Sequence, residues 1–192
     1  MIIGIIDCGG ANLNSIYYSF KRLGINTVIS NSKNELSGLD AYVLPGVGSA
    51  NAVMQCLKDN SLIDFIKNIT KPVLGICIGM QIMYEYSEEG DTQCLGIING
   101  KIKKFKSDKN LTVPQMGWNK LVCNDDLKSL NGHYYYANSF YTDSTDSAIG
   151  FTEYGINYTS LVKKNNFIGC QFHPEKSSVS GEKFIQYFLT TT

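Results

Sequence analysis

Apolar residues run without a polar break from Ile2 to Ile6, as expected of a strand buried on both faces. Shorter runs at Thr27 to Ser30, Tyr42 to Leu44 and Val73 to Ile76 read as further strands. Between them the spacing turns helical. Ile16, Phe20 and Leu23 share one face of a helix over Ser15 to Leu23, with Gly24 as its stop. Ala50 to Leu57 and Leu62 to Ile69 read as helices too. Strands alternating with helices imply a mostly parallel sheet covered on both faces.

The second half has another rhythm. Lys101 to Phe105, Lys120 to Cys123, Tyr134 to Ala137, Ala148 to Tyr154, Thr159 to Lys163 and Phe167 to Phe172 read as strands between turn signals. These suggest an antiparallel extension of the same sheet. A last amphipathic helix, Ser178 to Leu189, carries Phe184, Ile185, Phe188 and Leu189. The expected class is α/β, as one domain over residues 1–192, without a linker or internal repeat.

The most informative stretch is Gly75-Ile76-Cys77-Ile78-Gly79. A strand that turns sharply into a helix, with glycine either side of a nucleophile, is the geometry of a nucleophile elbow. Glycine gives the backbone freedom such a turn needs and leaves space around it. A helix starting directly behind Cys77, with Ile82, Met83 and Tyr84 on it, favours the thiolate. The plainer reading is one more buried cysteine.

Composition narrows the partners. The 192 residues hold 17 Lys and Arg against 17 Asp and Glu, so the formal net charge is zero and no electrostatic case exists for nucleic acid or an anionic membrane. No apolar run has the length of a membrane span. Met1 leads straight into the first strand without a basic segment, which points to the cytoplasm. The six cysteines are widely spaced and, with only two histidines, show no zinc-ligand pattern, so neither metal nor cofactor is expected. In a reducing compartment they read as free thiols.

A nucleophilic cysteine needs a base, usually histidine. His133 enters a tyrosine-rich strand and reads as structural. His173 follows an apolar strand in Gln171-Phe172-His173-Pro174-Glu175, and α/β sheets place their sites at such strand ends. Pro174 keeps the chain extended there, so Glu175 can turn back to His173 and orient its ring. Cys77, His173 and Glu175 then stand as nucleophile, base and orienter, while a surface histidine remains the alternative. Pro45-Gly46-Val47-Gly48 can offer backbone N–H groups to an oxyanion, or be an ordinary loop. Gln81 lies one helical turn after Cys77.

Taken together, the elbow, the Gln171 to Glu175 motif and Pro45 to Gly48 resemble the class I, or triad, glutamine amidotransferases. The resemblance spans residue 2 to the last helix. It implies a flavodoxin-like fold in which Cys77 attacks the side-chain amide of glutamine, with Val47, Gly48 and Ile78 as the oxyanion hole. Gly46, Gln81 and Glu89 match substrate-holding positions. Pro114-Gln115-Met116-Gly117-Trp118-Asn119, Lys176-Ser177 and the opening Ile6-Asp7 with Asn12-Leu13 point to one branch. Its glutaminase subunit passes ammonia to a separate HisF-type (β/α)8 cyclase, which turns PRFAR into imidazole glycerol phosphate and AICAR. Met116, Trp118 and Lys176 match the docking face. Cys8 and Ala11 stand where the branch has tyrosine and glycine. Asn138-Ser139-Phe140 replaces its usual histidine, serine or threonine, and tyrosine. Those departures leave open a related subunit feeding another acceptor, such as a sugar-modifying enzyme. A non-catalytic module on the same fold and a stand-alone cysteine hydrolase are the other readings.

Overall fold

The computed structural model describes residues 1–9, 13–46, 48–107, 111–143 and 145–191. In chain order the elements are β1 (Ile2–Ile6), α1 (Leu13–Arg22), β2 (Asn26–Ser30), α2 (Lys33–Leu36), β3 (Ala41–Leu44), α3 (Ala50–Asp59) and α4 (Ile63–Lys67). Next come β4 (Val73–Ile76), α5 (Ile78–Gln81), β5 (Tyr86–Ser87), β6 (Thr92–Gln93), β7 (Lys101–Lys104), β8 (Gln115–Cys123) and β9 (Gly132–Asn138). The chain closes with β10 (Phe140–Tyr141), β11 (Ala148–Tyr154), β12 (Ile156–Lys164), β13 (Phe167–Cys170) and α6 (Ser178–Thr190).

One nine-stranded sheet runs in the order β2-β1-β3-β4-β13-β12-β11-β8-β9. From β2 to β13 neighbours are parallel, and from β13 to β9 they are antiparallel. The parallel strands β3, β4 and β13 are buried at every residue, as their apolar runs require. The expected antiparallel extension is there, with one correction. The strand at Lys101–Lys104 belongs to a separate small sheet, β10-β7-β5-β6. Its two-residue strands are too short to leave a periodic trace.

Two further expectations change. The helix behind Cys77 is a single turn, and Ile82, Met83 and Tyr84 lie beyond it. The carbonyls of these three residues are taken instead by the amides of Leu95, Ile97, Ile98 and Gly96, each at 2.8 Å, so the chain returning beneath the elbow replaces the next helical turn. The strand expected from Lys120 begins at Gln115. Its ladder with β9 holds from Gln115 opposite Asn138 to Leu121 opposite Gly132, and that pairing overrides the turn signals of Pro114 and Gly117. Among the described residues no helix is long and apolar enough to cross a membrane.

Candidate active site

The carboxyl ends of β4 and β13 lie side by side, with Ile76 opposite Cys170. Cys77 leaves β4 at φ 55° and ψ −111°, a conformation that costs an L-residue energy and persists only where its surroundings enforce it. Two contacts enforce it. The Cys77 amide donates to the Cys170 carbonyl at 2.8 Å, and the first turn of α5 presses on the end of β3. A Cβ on Gly79 would stand 1.8 Å from the Leu44 carbonyl oxygen. The glycine there exists for close approach.

His173 is fixed as firmly. Phe172, fully buried, packs against Tyr134 and Phe184 at ring separations of 4.2 and 5.0 Å. The His173 amide donates to the Tyr135 carbonyl at 2.8 Å. Its carbonyl accepts from the Ser177 hydroxyl at 2.6 Å, and that hydroxyl accepts from the Tyr135 amide at 2.9 Å. The ring meets Glu175 at 2.9 Å from Nδ1 to Oε1, with the Glu175 side chain 3% exposed. Nε2 is thereby left for the other side, toward Cys77. Burial disfavours the charged ring, but the Cys77 and Glu175 charges and hydrogen bonds outweigh it and push the imidazole up to about 10.

Around the sulfur lies a cavity of about 260 Å³, lined by Gly46, Gly48, Ile78, Gln81, Glu89 and Lys176 beside Cys77 and His173. Sequence reasoning named all of these. Glu175 stands behind His173 and outside the lining. Val47, Ala11 and Asn12 lie outside the described residues. Glu89 accepts the Ala50 amide at 2.7 Å, which caps α3, and burial raises its carboxyl above the usual range against that bond. Asn138, Ser139 and Phe140 form the far wall. Met116 and Trp118 are apart from the cavity, 67% and 55% exposed on the outer face of β8. Trp118 meets the Tyr135 ring edge-on at 6.4 Å, and Lys176 reaches the same ring at 5.8 Å. The exposed face and the cavity are therefore joined through Tyr135 and Lys176.

Sequence reasoning gave no role to Gln171. Its Nε2 lies 3.6 Å from Cys77 Sγ and its Oε1 accepts from Gln81 at 2.8 Å. The signal was present: an amide side chain one residue past an apolar strand, in the same motif as His173, and 1% exposed. The Ala137 carbonyl, 3.9 Å from the sulfur, is a backbone group that no residue type announces. His133 is exposed on β9 and outside the cavity lining. The other five thiols are unpaired, and burial pushes each of them up. Among the described residues no group of histidine, cysteine and carboxylate side chains could hold a metal ion.

The family model described as glutamine amidotransferase class-I matches residues 4–191. The chain is 43% identical to the imidazole glycerol phosphate synthase subunit HisH of Haemophilus influenzae, over 97% of this chain and 96% of that one. It is 37% identical to the subunit of the same name from Idiomarina loihiensis, over 100% and 99%. A solved structure titled as a glutamine amidotransferase superposes with a TM-score of 0.77 at 18% identity, covering 100% of this chain and 98% of that chain. At that identity the likeness bears on the fold alone.

Proposed function

The chain belongs to the class-I glutamine amidotransferases, and we propose that within them it is the glutaminase subunit of imidazole glycerol phosphate synthase. Full-length relatives of that name support the reading. The observation that carries the chemistry is Cys77 held on a tight elbow beside an imidazole that Glu175 clamps at 2.9 Å.

Glutamine enters the cavity with its side-chain amide toward Cys77. Gln81 and Glu89 hold its polar groups. The thiolate attacks the amide carbon, and the carbonyl π pair moves onto oxygen. N–H groups of Val47 or Gly48 and of Ile78 receive that oxyanion. His173, charged at neutral pH, gives its proton to the departing nitrogen, and ammonia leaves as the C–N bond breaks. The neutral ring then takes a proton from water, which attacks the thioester and releases glutamate. Glu175 keeps the ring aimed through both halves of the cycle.

Ammonia passes to a (β/α)8 cyclase of the HisF type docked on the face of Met116, Trp118 and Lys176. The cyclase incorporates it in making imidazole glycerol phosphate and AICAR from PRFAR. No cofactor enters these steps, and the unpaired thiols suit a cytoplasmic location.

The test is glutamine turnover by the chain alone, with the cyclase of the same organism, and with cyclase plus PRFAR. The isolated chain should be slow, and the complex with ligand faster by ~10² or more, the scale of one aligned oxyanion donor. Binding without stimulation, or no binding, would move the assignment to a subunit serving another ammonia acceptor.

A further inference from the structure

The far wall of the cavity is held by a buried polar cluster that no step above uses. Gln115 opens β8 directly across the ladder from Asn138, the last residue of β9. Both point inward, 2% and 4% exposed, whereas the next residue, Met116, points out. Tyr158 on β12 is fully buried and donates its hydroxyl to Gln115 Oε1 at 2.8 Å. Asn138 lies beside the same hydroxyl. Asn138 Nδ2 also donates to the Phe140 carbonyl at 2.9 Å, and that carbonyl accepts a second, longer bond from Gln81 Nε2 at 3.4 Å. Through Gln171 the chain of amides continues to the Cys77 sulfur.

The cluster is incomplete at one point. Gln115 Nε2 and Asn138 Oδ1 are buried and have no partner among the described residues. One is a donor and the other an acceptor, on residues that face each other. Buried polar groups are costly to leave unpaired, so an arrangement in which the two amides met would relieve both. Turning Asn138 toward Gln115 would loosen its hold on the Phe140 carbonyl and free that carbonyl for Gln81. Pressure on β8 from outside is applied one residue from Gln115 at Met116 and three residues from it at Trp118. The plainer alternative is a core cluster that only satisfies Tyr158, and it predicts lost stability without a kinetic signature.

We propose that Gln115, Tyr158 and Asn138 are positioning residues through which docking on β8 sets the Phe140 carbonyl and, with it, Gln81 in the glutamine cavity. The proposal rests on the glutaminase reading above. It adds a physical link between the docking face and the substrate wall, at the segment where this chain departs from its branch.

The test uses the full chain with its cyclase and PRFAR, comparing wild type, Gln115→Met, Tyr158→Phe and the double variant Gln115→Met, Asn138→Leu. Cyclase affinity should stay within about 2-fold, because none of these side chains is on the outer face. Ligand-stimulated kcat for glutamine should fall ~10-fold in each single variant, within the usual range of coupling between sites. Tyr158→Phe keeps its ring and guards against a mere packing defect. Asn138→Leu is measured alone as well, and the double variant should lose no more than the worse single, since one link is broken twice. Stimulated kcat equal to wild type overturns the proposal, and so do losses that simply add. If wild type itself is not stimulated in the same experiment, the pairing with this cyclase fails and takes the proposal with it.

Discussion

The centre of the nine-stranded sheet and its antiparallel edge solve different problems. Strands β3, β4 and β13 bury every residue and leave no face to show a partner. Whatever this half does, it does at its strand ends, where Cys77 and His173 stand. Strand β8 alternates instead, with Gln115, Leu121 and Cys123 buried and Met116, Trp118, Lys120 and Val122 exposed. It offers a face, and that face carries Met116, Trp118 and Val122 at 67%, 55% and 46% exposure. On the proposed function, reaction falls to strands with no free side and recognition to a strand with one. Tyr135 and Ser177 tie the two together, because the Tyr135 main chain holds His173 while its ring meets Trp118.

If that division is right, the largest effect comes from the crowded strand ends. Gly79→Ala forces a Cβ to 1.8 Å from the Leu44 carbonyl oxygen. Backbone must move, and the loss should exceed ~3 kcal/mol, beyond ordinary overpacking. Chemical denaturation measures it, and a loss under ~1 kcal/mol would mean the elbow is slack.

Cys77→Ala separates reaction from recognition. Glutamine hydrolysis should fall ~10⁴-fold or more, as when a nucleophile is removed. Stability should stay within ~1 kcal/mol, cyclase affinity should be unchanged, and synthesis from added ammonia should survive. Residual glutaminase near wild type would remove Cys77 from its role.

Trp118→Ala asks the converse. Truncating an exposed tryptophan at an interface costs about 2 kcal/mol, or ~30-fold in Kd, and thermal stability should not follow. A drop in melting temperature with affinity intact would make the tryptophan structural and dissolve the contrast.

The smallest effect is a slope with pH. The His173 ring is raised from 6.5 to about 10, so its charged form stabilises the fold. That contribution is complete below about 6.5 and is lost as pH rises through about 10. Melting temperature should therefore decline across that window, and less so in Cys77→Ala, whose ring has lost a raising partner. His173 should titrate lower in that variant than in wild type by NMR. An unmoved His173 would mean that Glu175 alone holds the proton.

The same contrast explains what the sequence could reveal. Val73–Ile76 and Ala148–Tyr154 are found at the bounds their patterns predict, because Pro72 fences one run and Gly155 the other. Cys77, His173, Gln81 and Glu89 stand around one cavity; residue type and motif spacing point to the first three, and the family resemblance to Glu89. The one-turn length of α5 was hidden. It depends on Leu95, Gly96, Ile97 and Ile98 returning to carbonyls of residues 82–84, which is a tertiary event. The start of β8 was hidden for the same reason, since only its partner β9 reveals it. The wall at Phe140 acts through a carbonyl, and main-chain oxygens are alike at every position.

The unpaired thiols have a consequence for anyone wishing to count working molecules. Cys8, Cys56, Cys94, Cys123 and Cys170 are all pushed up by burial, and only Cys77 opens on the cavity with an imidazole at hand. An electrophile shaped like glutamine should therefore mark a single sulfur out of six. The mass added per chain becomes a direct titre of intact sites, and none of the five silent cysteines has to be mutated away first.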